Sequence, residues 1–300
     1  MTDRCCPCKH ANRGEHVPAL PVKPDAPAAP SSSSADTRPV LSVRGLSAGY
    51  AGRRVLEDVD FDVHENEIFA IMGASGSGKT TLLRQMLGLS RPLAGEIELL
   101  GERVHPDERE ALFRLRRQIG VAFQHGALIN SMSVIENIEL PLRQHTRLDR
   151  ATIRIMSRMK LEMMNLLGVE DYMPAELSGG MLKRAGLARA VIMDPRVLFF
   201  DEPSAGLDPA TADELDSLIL GLREAHNMTI VIVTHALESA ARIADRVMIV
   251  GDGGVRAIGT LDSLRASRDE YIRSLLERRT RRRELDGEAY IERLTADIDE

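Results

Sequence analysis

Short apolar runs alternate with longer amphipathic stretches along most of the chain. Continuous apolar runs of strand length are typical of strands buried on both faces. They are EIFAIM at 67–72, VLFF at 197–200 and TIVIV at 229–233. Other segments are rich in β-forming residues, and one of them, 55–63, alternates apolar and polar positions like a half-buried strand. These β-rich segments are 40–50, 55–63 and 95–104, the last predicted to be a strand pair.

Helical periodicity covers residues 80–90 and 147–168, the second stretch being rich in methionine. Strands that alternate with helices predict an α/β fold with a parallel sheet. A helical insertion is predicted at about 125–185. We interpret the methionines as adaptable core or interface residues, since flexible thioethers fill irregular gaps.

Both ends of the chain differ in composition from its centre. Residues 1–38 are rich in Pro, Ala and Ser, which predicts a disordered N-terminal tail, and a globular domain is predicted at 39–262. A helical C-terminal extension is predicted at 263–300. All three cysteines lie in the tail, and we expect solvated thiols because no second ligand pair at zinc spacing follows; they are Cys5, Cys6 and Cys8.

Composition and hydropathy argue against a nucleic-acid-binding protein and against membrane-spanning helices. The net charge is -6, aromatic residues are 3% and Trp is absent, which disfavours a nucleic-acid partner. No apolar run approaches the ~18 residues that a membrane-spanning helix needs, and the N-terminus lacks the apolar core of a signal peptide. We therefore expect a cytoplasmic chain that reaches a membrane only through a partner.

A glycine-rich phosphate-binding motif, G-x-x-x-x-G-K-[ST], lies between the first apolar strand and the helix at 80–90. Its residues are Gly73, Ala74, Ser75, Gly76, Ser77, Gly78, Lys79 and Thr80. In this context backbone N–H groups and a helix N-terminus bind phosphate. Lys79 is predicted to reach the outer phosphates, Thr80 to ligate Mg²⁺, and Thr81 to contact an inner phosphate.

Two further strand ends carry polar side chains suited to nucleotide hydrolysis. VLFF ends in Asp201 and Glu202, where the aspartate is predicted to hold Mg²⁺ and the glutamate to act as general base. TIVIV ends in Thr234 and His235. Alone such pairs are weak signals, but after a phosphate loop they predict the second half of a nucleotide site.

A second anion-binding helix start is predicted at Ser178, Gly179 and Gly180, which lack a lysine of their own. One chain thus holds two phosphate-binding ends that lie far apart in sequence. A two-fold dimer could set each against the nucleotide of the other copy, so we predict a homodimer that sandwiches ATP.

With these motifs in this order, the sequence resembles the ATP-binding subunits of ABC transporters from about Val40 to Thr260. The resemblance implies a P-loop NTPase core with a mixed sheet, an antiparallel β subdomain and a helical subdomain. It implies that Tyr50 stacks on adenine, that Gln124 binds Mg²⁺ and positions water, that Asp208 of the D-loop reaches the nucleotide, and that His235 contacts the γ-phosphate. Two positions depart from the common pattern, since Met181 replaces a glutamine and Ala236 replaces a frequent aspartate.

Within that family, FQHGALINSMSVIENIELPLRQHT (123–146), LSGGM (177–181) and DEPSAGLDP (201–209) resemble the Mla/Mce branch. That resemblance implies lipid transport, an integral membrane permease, an MCE-domain lipid-binding subunit, and a place on the cytoplasmic side of the inner membrane. The alternatives are another ABC transporter, for lipoprotein release, drugs or amino acids, and a soluble non-transport ABC ATPase. The single ATPase core and the lack of a long heptad run disfavour the last.

The C-terminal extension leaves three interpretations open. Tyr271, Leu275 and Leu276 share one predicted helical face, Tyr290, Ile291 and Leu294 share another, and ERRTRRRE lies between them. The two helices could be solvated surface elements, a clasp on the partner subunit, or a contact with anionic lipid headgroups.

Overall fold

The structure is a computed structural model that describes residues 39–50, 53–124 and 126–277. The predicted N-terminal tail with its three cysteines lies outside the described residues, as do residues 278–300 of the predicted C-terminal extension. Among the described residues, no helix combines the length and apolar content that crossing a bilayer requires.

Ten strands form two sheets within the residues that the structure describes. Their bounds are β1 Leu41–Tyr50, β2 Arg53–Val63, β3 Ile68–Met72, β4 Ala94–Leu99, β5 Glu102–Arg103, β6 Ile119–Ala122, β7 Val197–Asp201, β8 Thr229–Val233, β9 Arg246–Gly251 and β10 Gly254–Gly259. The four-stranded sheet has the order β2-β1-β4-β5 and is antiparallel. The six-stranded sheet has the order β10-β9-β3-β8-β7-β6, with only the β9–β10 pair antiparallel.

Nine α-helices, and a short 3-10 helix at Pro174–Glu176, accompany these strands in the described part of the chain. The α-helices are α1 Lys79–Met86, α2 Arg109–Arg116, α3 Val134–His145, α4 Arg150–Met163, α5 Gly179–Ala190, α6 Pro209–His226, α7 Leu237–Ile243, α8 Leu261–Arg265 and α9 Glu270–Glu277. Local sequence sets several helix starts: Ser133 and Glu136 form a capping box at α3, and Ser178 and Asp208 cap α5 and α6 through their side chains.

The mixed sheet is buried on both faces, and alternate residues of each strand enter different cores. Phe199, Val231 and Val233 pack with α1 and the antiparallel sheet. Leu198 and Phe200, on the opposite face of β7, pack with apolar residues of α3 to α6. Such double-sided burial explains why these strands appear as continuous apolar runs in the sequence.

The predicted fold class is confirmed, with a mixed sheet, an antiparallel sheet and helices between them. Helix α1 ends at Met86, earlier than the predicted 90, because Gly88 takes a left-handed conformation with φ 62°. Strands β6, β9 and β10 were not predicted from the sequence. In β6 only four residues pair, and it lies at the sheet edge.

Helix α9 covers the first part of the predicted C-terminal extension. Its Ile272 and Leu276 are buried with Met72 and Ile249 of the mixed sheet. This helix therefore packs on the core of its own chain, and its apolar face is covered there rather than exposed.

Candidate functional site

The phosphate-binding motif forms the loop between β3 and α1. Gly78, at the N-cap of α1, has φ 101°, a conformation that glycine adopts without strain, and no side chain caps the helix. The first N–H groups of the helix therefore remain available to an anion. Lys79 is buried, and its Nζ donates to the backbone oxygens of Gly73 at 2.9 Å and Ala74 at 3.1 Å.

The carboxyl ends of four neighbouring parallel strands carry the other predicted residues. Ile71 and Asp201 both pair in register with Val233, and Ala122 pairs with Phe200. These registers bring the phosphate loop, His235, Glu202 and Gln124 to one edge of the sheet in the order β3, β8, β7, β6. Ligand sites of open α/β sheets occur at such an edge.

Glu202 and His235 are in direct contact. Glu202 Oε2 lies 2.8 Å from His235 Nδ1, and it also accepts a hydrogen bond from the His235 backbone N–H at 3.3 Å. Glu202 has φ 52°, a left-handed conformation that costs a non-glycine residue about 1–3 kcal/mol. Its backbone N–H donates to Val233 at 2.8 Å, which helps to hold this conformation.

Burial shifts the charged groups on either side of the loop in opposite directions. Burial raises the pKa of Asp201, and the nearby Glu202 adds to that rise while Arg84 and Lys79 oppose it. Burial lowers the pKa of Lys79, and the charges of Glu202 and Asp201 offset part of that effect. Perturbed carboxylate and ammonium groups that share a cleft are typical of functional sites.

Tyr50 lies beside the start of α1. A hydrogen bond with Thr81 lowers the pKa of Tyr50, and Arg84 contributes a smaller effect in the same direction. Tyr50 is 45% exposed, so the residue is accessible to a planar ligand next to the phosphate loop.

Ser178, Gly179 and Asp208 form a second group. Ser178 and Gly179 are exposed at the start of α5, where Ser178 Oγ accepts a hydrogen bond from Met181 at 3.3 Å. A Cβ on Gly180 would lie 2.8 Å from Thr211 Cγ2, and Thr211 is bonded to Asp208. Thr211 therefore links Gly180 to Asp208, and Ser178 and Gly179 are exposed beside them.

A lysine that the sequence did not single out joins the two groups. Lys183, in the second turn of α5, donates through Nζ to the backbone oxygens of Glu202 at 3.4 Å, Pro203 at 2.6 Å and also Ala205. Burial lowers the pKa of Lys183. No sequence signal marks this lysine, because its acceptors are backbone atoms about twenty positions away.

Gln124 follows β6, where the chain passes directly over α5. A Cβ on Gly186 would lie 2.8 Å from the Cα of Gly126, so neither position has space for a side chain. Arg189 fixes the same segment by donating to the backbone oxygens of Gly126 at 3.0 Å and Ala127 at 2.8 Å.

Among the described residues, no three His, Cys, Asp or Glu side chains could hold a metal ion on their own. Thr80 is exposed at the start of α1, and Asp201 is a half-buried carboxylate whose pKa is raised by burial and by the charge of Glu202. Oxygen donors of this kind fit Mg²⁺, which in nucleotide sites takes its other ligands from phosphate and water.

Three comparisons bear on what this arrangement does. A family model described as ABC transporter matches residues 56–205. The Haemophilus influenzae protein "Intermembrane phospholipid transport system ATP-binding protein MlaF" is 40% identical over 238 residues, covering 79% of this chain and 90% of that protein. A Mycobacterium leprae protein, "Probable ribonucleotide transport ATP-binding protein mkl", is 36% identical, covering 80% of this chain and 69% of that protein.

A solved structure has the same fold. It is the dimeric structure of a post-hydrolysis state of the ATP-binding cassette MJ0796 bound to ADP and Pi. The TM-score is 0.68 at 29% identity, and the match covers 74% of this chain and 98% of that one.

Proposed function

The chain belongs to the ABC transporter family, and from that premise we propose that it hydrolyses ATP to drive lipid transport through a membrane permease. As a member of that family it binds nucleotide and hydrolyses ATP. The observation that carries the assignment of roles is the edge of the mixed sheet, where Lys79, Asp201, Glu202 and His235 meet.

Each residue at this edge has a role that follows from its position. The loop N–H groups that follow Ala74, up to Thr81, bind the phosphates together with Lys79, while the exposed ring of Tyr50 stacks on the adenine. Glu202 accepts the proton of the attacking water, because it is the half-buried carboxylate that follows β7 and contacts His235. His235 orients that carboxylate and contacts the γ-phosphate, and Gln124 orients the water.

Thr80, Asp201 and Gln124 would hold Mg²⁺ together with phosphate oxygens. Bound there, the ion would neutralise charge that develops on the transferred phosphoryl group. The raised pKa of Asp201 supports this role, since a bound cation would stabilise the carboxylate charge that burial and Glu202 disfavour.

The exposed start of α5 supports a sandwich of two copies. Ser178, Gly179 and Gly180, with Asp208 beside them, would complete the nucleotide site of a second copy of the chain. The dimeric cassette MJ0796 gives this arrangement a precedent in a structure of the same fold.

Phospholipid is the proposed cargo, because the relative from Haemophilus influenzae named for phospholipid transport is matched over 90% of its length. Extracting a lipid exposes acyl chain at about 0.8 kcal/mol per CH₂, which requires an energy source such as ATP. The chain itself would act from the cytoplasmic face of the inner membrane, bound to permease subunits that operate with an MCE-domain lipid-binding protein.

Reconstitution of the complex tests this proposal. The chain is purified with its co-purifying membrane subunits, placed in liposomes, and assayed for ATP-dependent movement of labelled phospholipid. Glu202→Gln serves as the matched control that binds ATP without turning it over. Failure of lipid to bind or move, while another solute stimulates hydrolysis in the same preparation, would show the lipid assignment to be wrong.

A second cargo has its own support. The Mycobacterium leprae relative is named for ribonucleotide transport, and it is 36% identical to this chain. Ribonucleotides added to the same liposomes distinguish the two cargoes, because only the true cargo should stimulate hydrolysis and cross the bilayer.

A further inference from the structure

Helix α9 contacts the phosphate loop through one side chain. The Tyr271 hydroxyl donates to the backbone oxygen of Val250 at 3.2 Å and accepts from the Ala74 N–H at 3.3 Å. Val250 lies near the end of β9, and Ala74 is the second residue of the loop. One hydroxyl therefore ties the C-terminal part of the chain to the loop 197 positions earlier.

The seat of the Tyr271 ring is formed by the end of β9. A Cβ on Gly251 would lie 2.6 Å from Tyr271 Cε1, so the ring occupies space that only glycine leaves open. Arg256 lies over the ring at 5.7 Å from its centroid, within the range of a cation–π contact. Asp269 caps the start of α9 by accepting from the Tyr271 N–H at 2.8 Å.

The peptide group that Tyr271 contacts also holds Lys79. The peptide between Gly73 and Ala74 presents its N–H to Tyr271 and its oxygen to Lys79 Nζ, which lies 2.9 Å away. A Cβ on Gly73 would lie 2.3 Å from the Val250 oxygen, so the loop begins in backbone contact with β9. Both ends of one peptide plane are thus bonded, which fixes its orientation.

We propose that Tyr271 is a positioning residue for the phosphate loop. Its hydroxyl holds the Gly73–Ala74 peptide, and this peptide in turn orients Lys79 for nucleotide. The proposal rests on the proposed function in that the loop is taken to bind ATP. It assigns α9 to the nucleotide site of its own chain, whatever residues 278–300 contact.

Tyr271→Phe is the sharpest test, since it removes the hydroxyl and keeps the ring in its seat. Both hydrogen bonds are long, so we expect a modest effect: the Kd for ATP rises about five- to tenfold, while kcat at saturating ATP changes less than about twofold. Hydrogen exchange at the Ala74 amide should become faster in the nucleotide-free protein. Tyr172→Phe, on an exposed tyrosine of the helical region, is the matched control and should change neither quantity.

Gly251→Ala approaches the same seat from the other side, because the new methyl group displaces the ring. We expect a similar rise in Kd, and less than about a twofold further effect when it is combined with Tyr271→Phe. If Gly251→Ala raises the Kd for ATP as much in the Tyr271→Phe background as in the parent, its effect does not depend on the Tyr271 hydroxyl.

The two proposals fail in different ways. A parent protein that binds no ATP overturns the proposed function. A parent that binds ATP, with a Tyr271→Phe variant of equal Kd and unchanged Ala74 exchange, overturns the positioning role. In that case Tyr271 serves only to pack α9, and only the melting temperature of a Tyr271→Leu variant would fall.

Discussion

Lys183 provides a direct test of how the start of α5 is coupled to Glu202, the proposed general base. Its ammonium group donates to three backbone oxygens in the turn that follows β7, including that of Glu202. Lys183→Met keeps the length and apolar character of the side chain but removes every one of these donors. The turn then loses its link to α5, and Glu202 loses one of the contacts that hold its left-handed backbone.

The magnitude follows from the number and type of these bonds. Hydrogen bonds to a charged group contribute about 1.5–3 kcal/mol, and desolvation of the half-buried ammonium offsets part of that gain. We expect a net loss of about 1–3 kcal/mol of unfolding free energy, which lowers Tm by about 3–10 °C. A displacement of Glu202 by about 1 Å would lower kcat roughly 10- to 100-fold.

The assay compares kcat, the KM for ATP and Tm in three proteins: the parent, Lys183→Met and Lys160→Met. Lys160 is the matched control, because its buried side chain also makes a polar contact, with Nζ 2.6 Å from Asp194 Oδ1, in the helical region away from the loop. Both variants should lose thermal stability, but only Lys183→Met should lose kcat. Nucleotide affinity should change little in either, since neither lysine contacts the phosphate loop.

Two results would refute the reasoning. A folded Lys183→Met protein with kcat within about twofold of the parent would show that the turn holds Glu202 without the lysine. An equal loss of kcat in Lys160→Met would show that general destabilisation, and not the position of Glu202, lowers turnover.

Four further predictions concern the site and the ends of the chain. Glu202→Gln should leave ATP binding intact and lower turnover by about 10²–10⁴, measured by single-turnover hydrolysis; near-parental turnover would contradict its role as base. Mixing Lys79→Ala with Ser178→Arg subunits should restore hydrolysis above either variant alone, because one composite site then carries neither change; no recovery in proven mixed dimers would argue against sharing. Because the pKa of Asp201 is raised in the folded state, its ionised carboxylate lowers the unfolding free energy of the apo protein at pH values above that pKa. This loss of stability disappears as the pH falls and the carboxylate is protonated. Asp201→Asn should therefore raise the apo Tm at neutral pH by about 1–5 °C, lose this gain in acid, and abolish Mg²⁺-dependent hydrolysis; an unchanged or lower neutral Tm would contradict the argument. Truncation after Glu277 keeps α9 and Tyr271, so binding assays should show unchanged ATP affinity. Size-exclusion chromatography of the same variant tests the clasp: weaker assembly supports a contact of residues 278–300 with a partner, and unchanged assembly contradicts it.

Sequence alone determined the features that depend on residues close together along the chain. The phosphate loop was predictable because its glycines, lysine and threonine act through backbone geometry within eight positions, between a strand and a helix. The buried strands at β3, β7 and β8 were predictable because burial on both faces demands continuous apolar runs. The order of the motifs then sufficed to identify the family, and with it the fold class.

Other features depended on which strands lie side by side. The short edge strand β6 and the strands β9 and β10 were not predicted from the sequence. Strand order decides that the ends of β7 and β8 are neighbours, and hence that Glu202 meets His235 at 2.8 Å. Sequence spacing carries no such information, because parallel pairing joins segments separated by long crossovers.

Contacts from a side chain to a distant backbone were decided by the tertiary structure alone. Lys183 bonds the turn after β7, and Tyr271 bonds the phosphate loop, through carbonyl and amide groups that every residue type possesses. Periodicity placed Tyr271 on a helical face but could not tell whether that face meets a partner, a membrane or its own core. The packing of α9 against Met72 and Ile249 settled the matter for that helix, since burying its apolar face removes it from water.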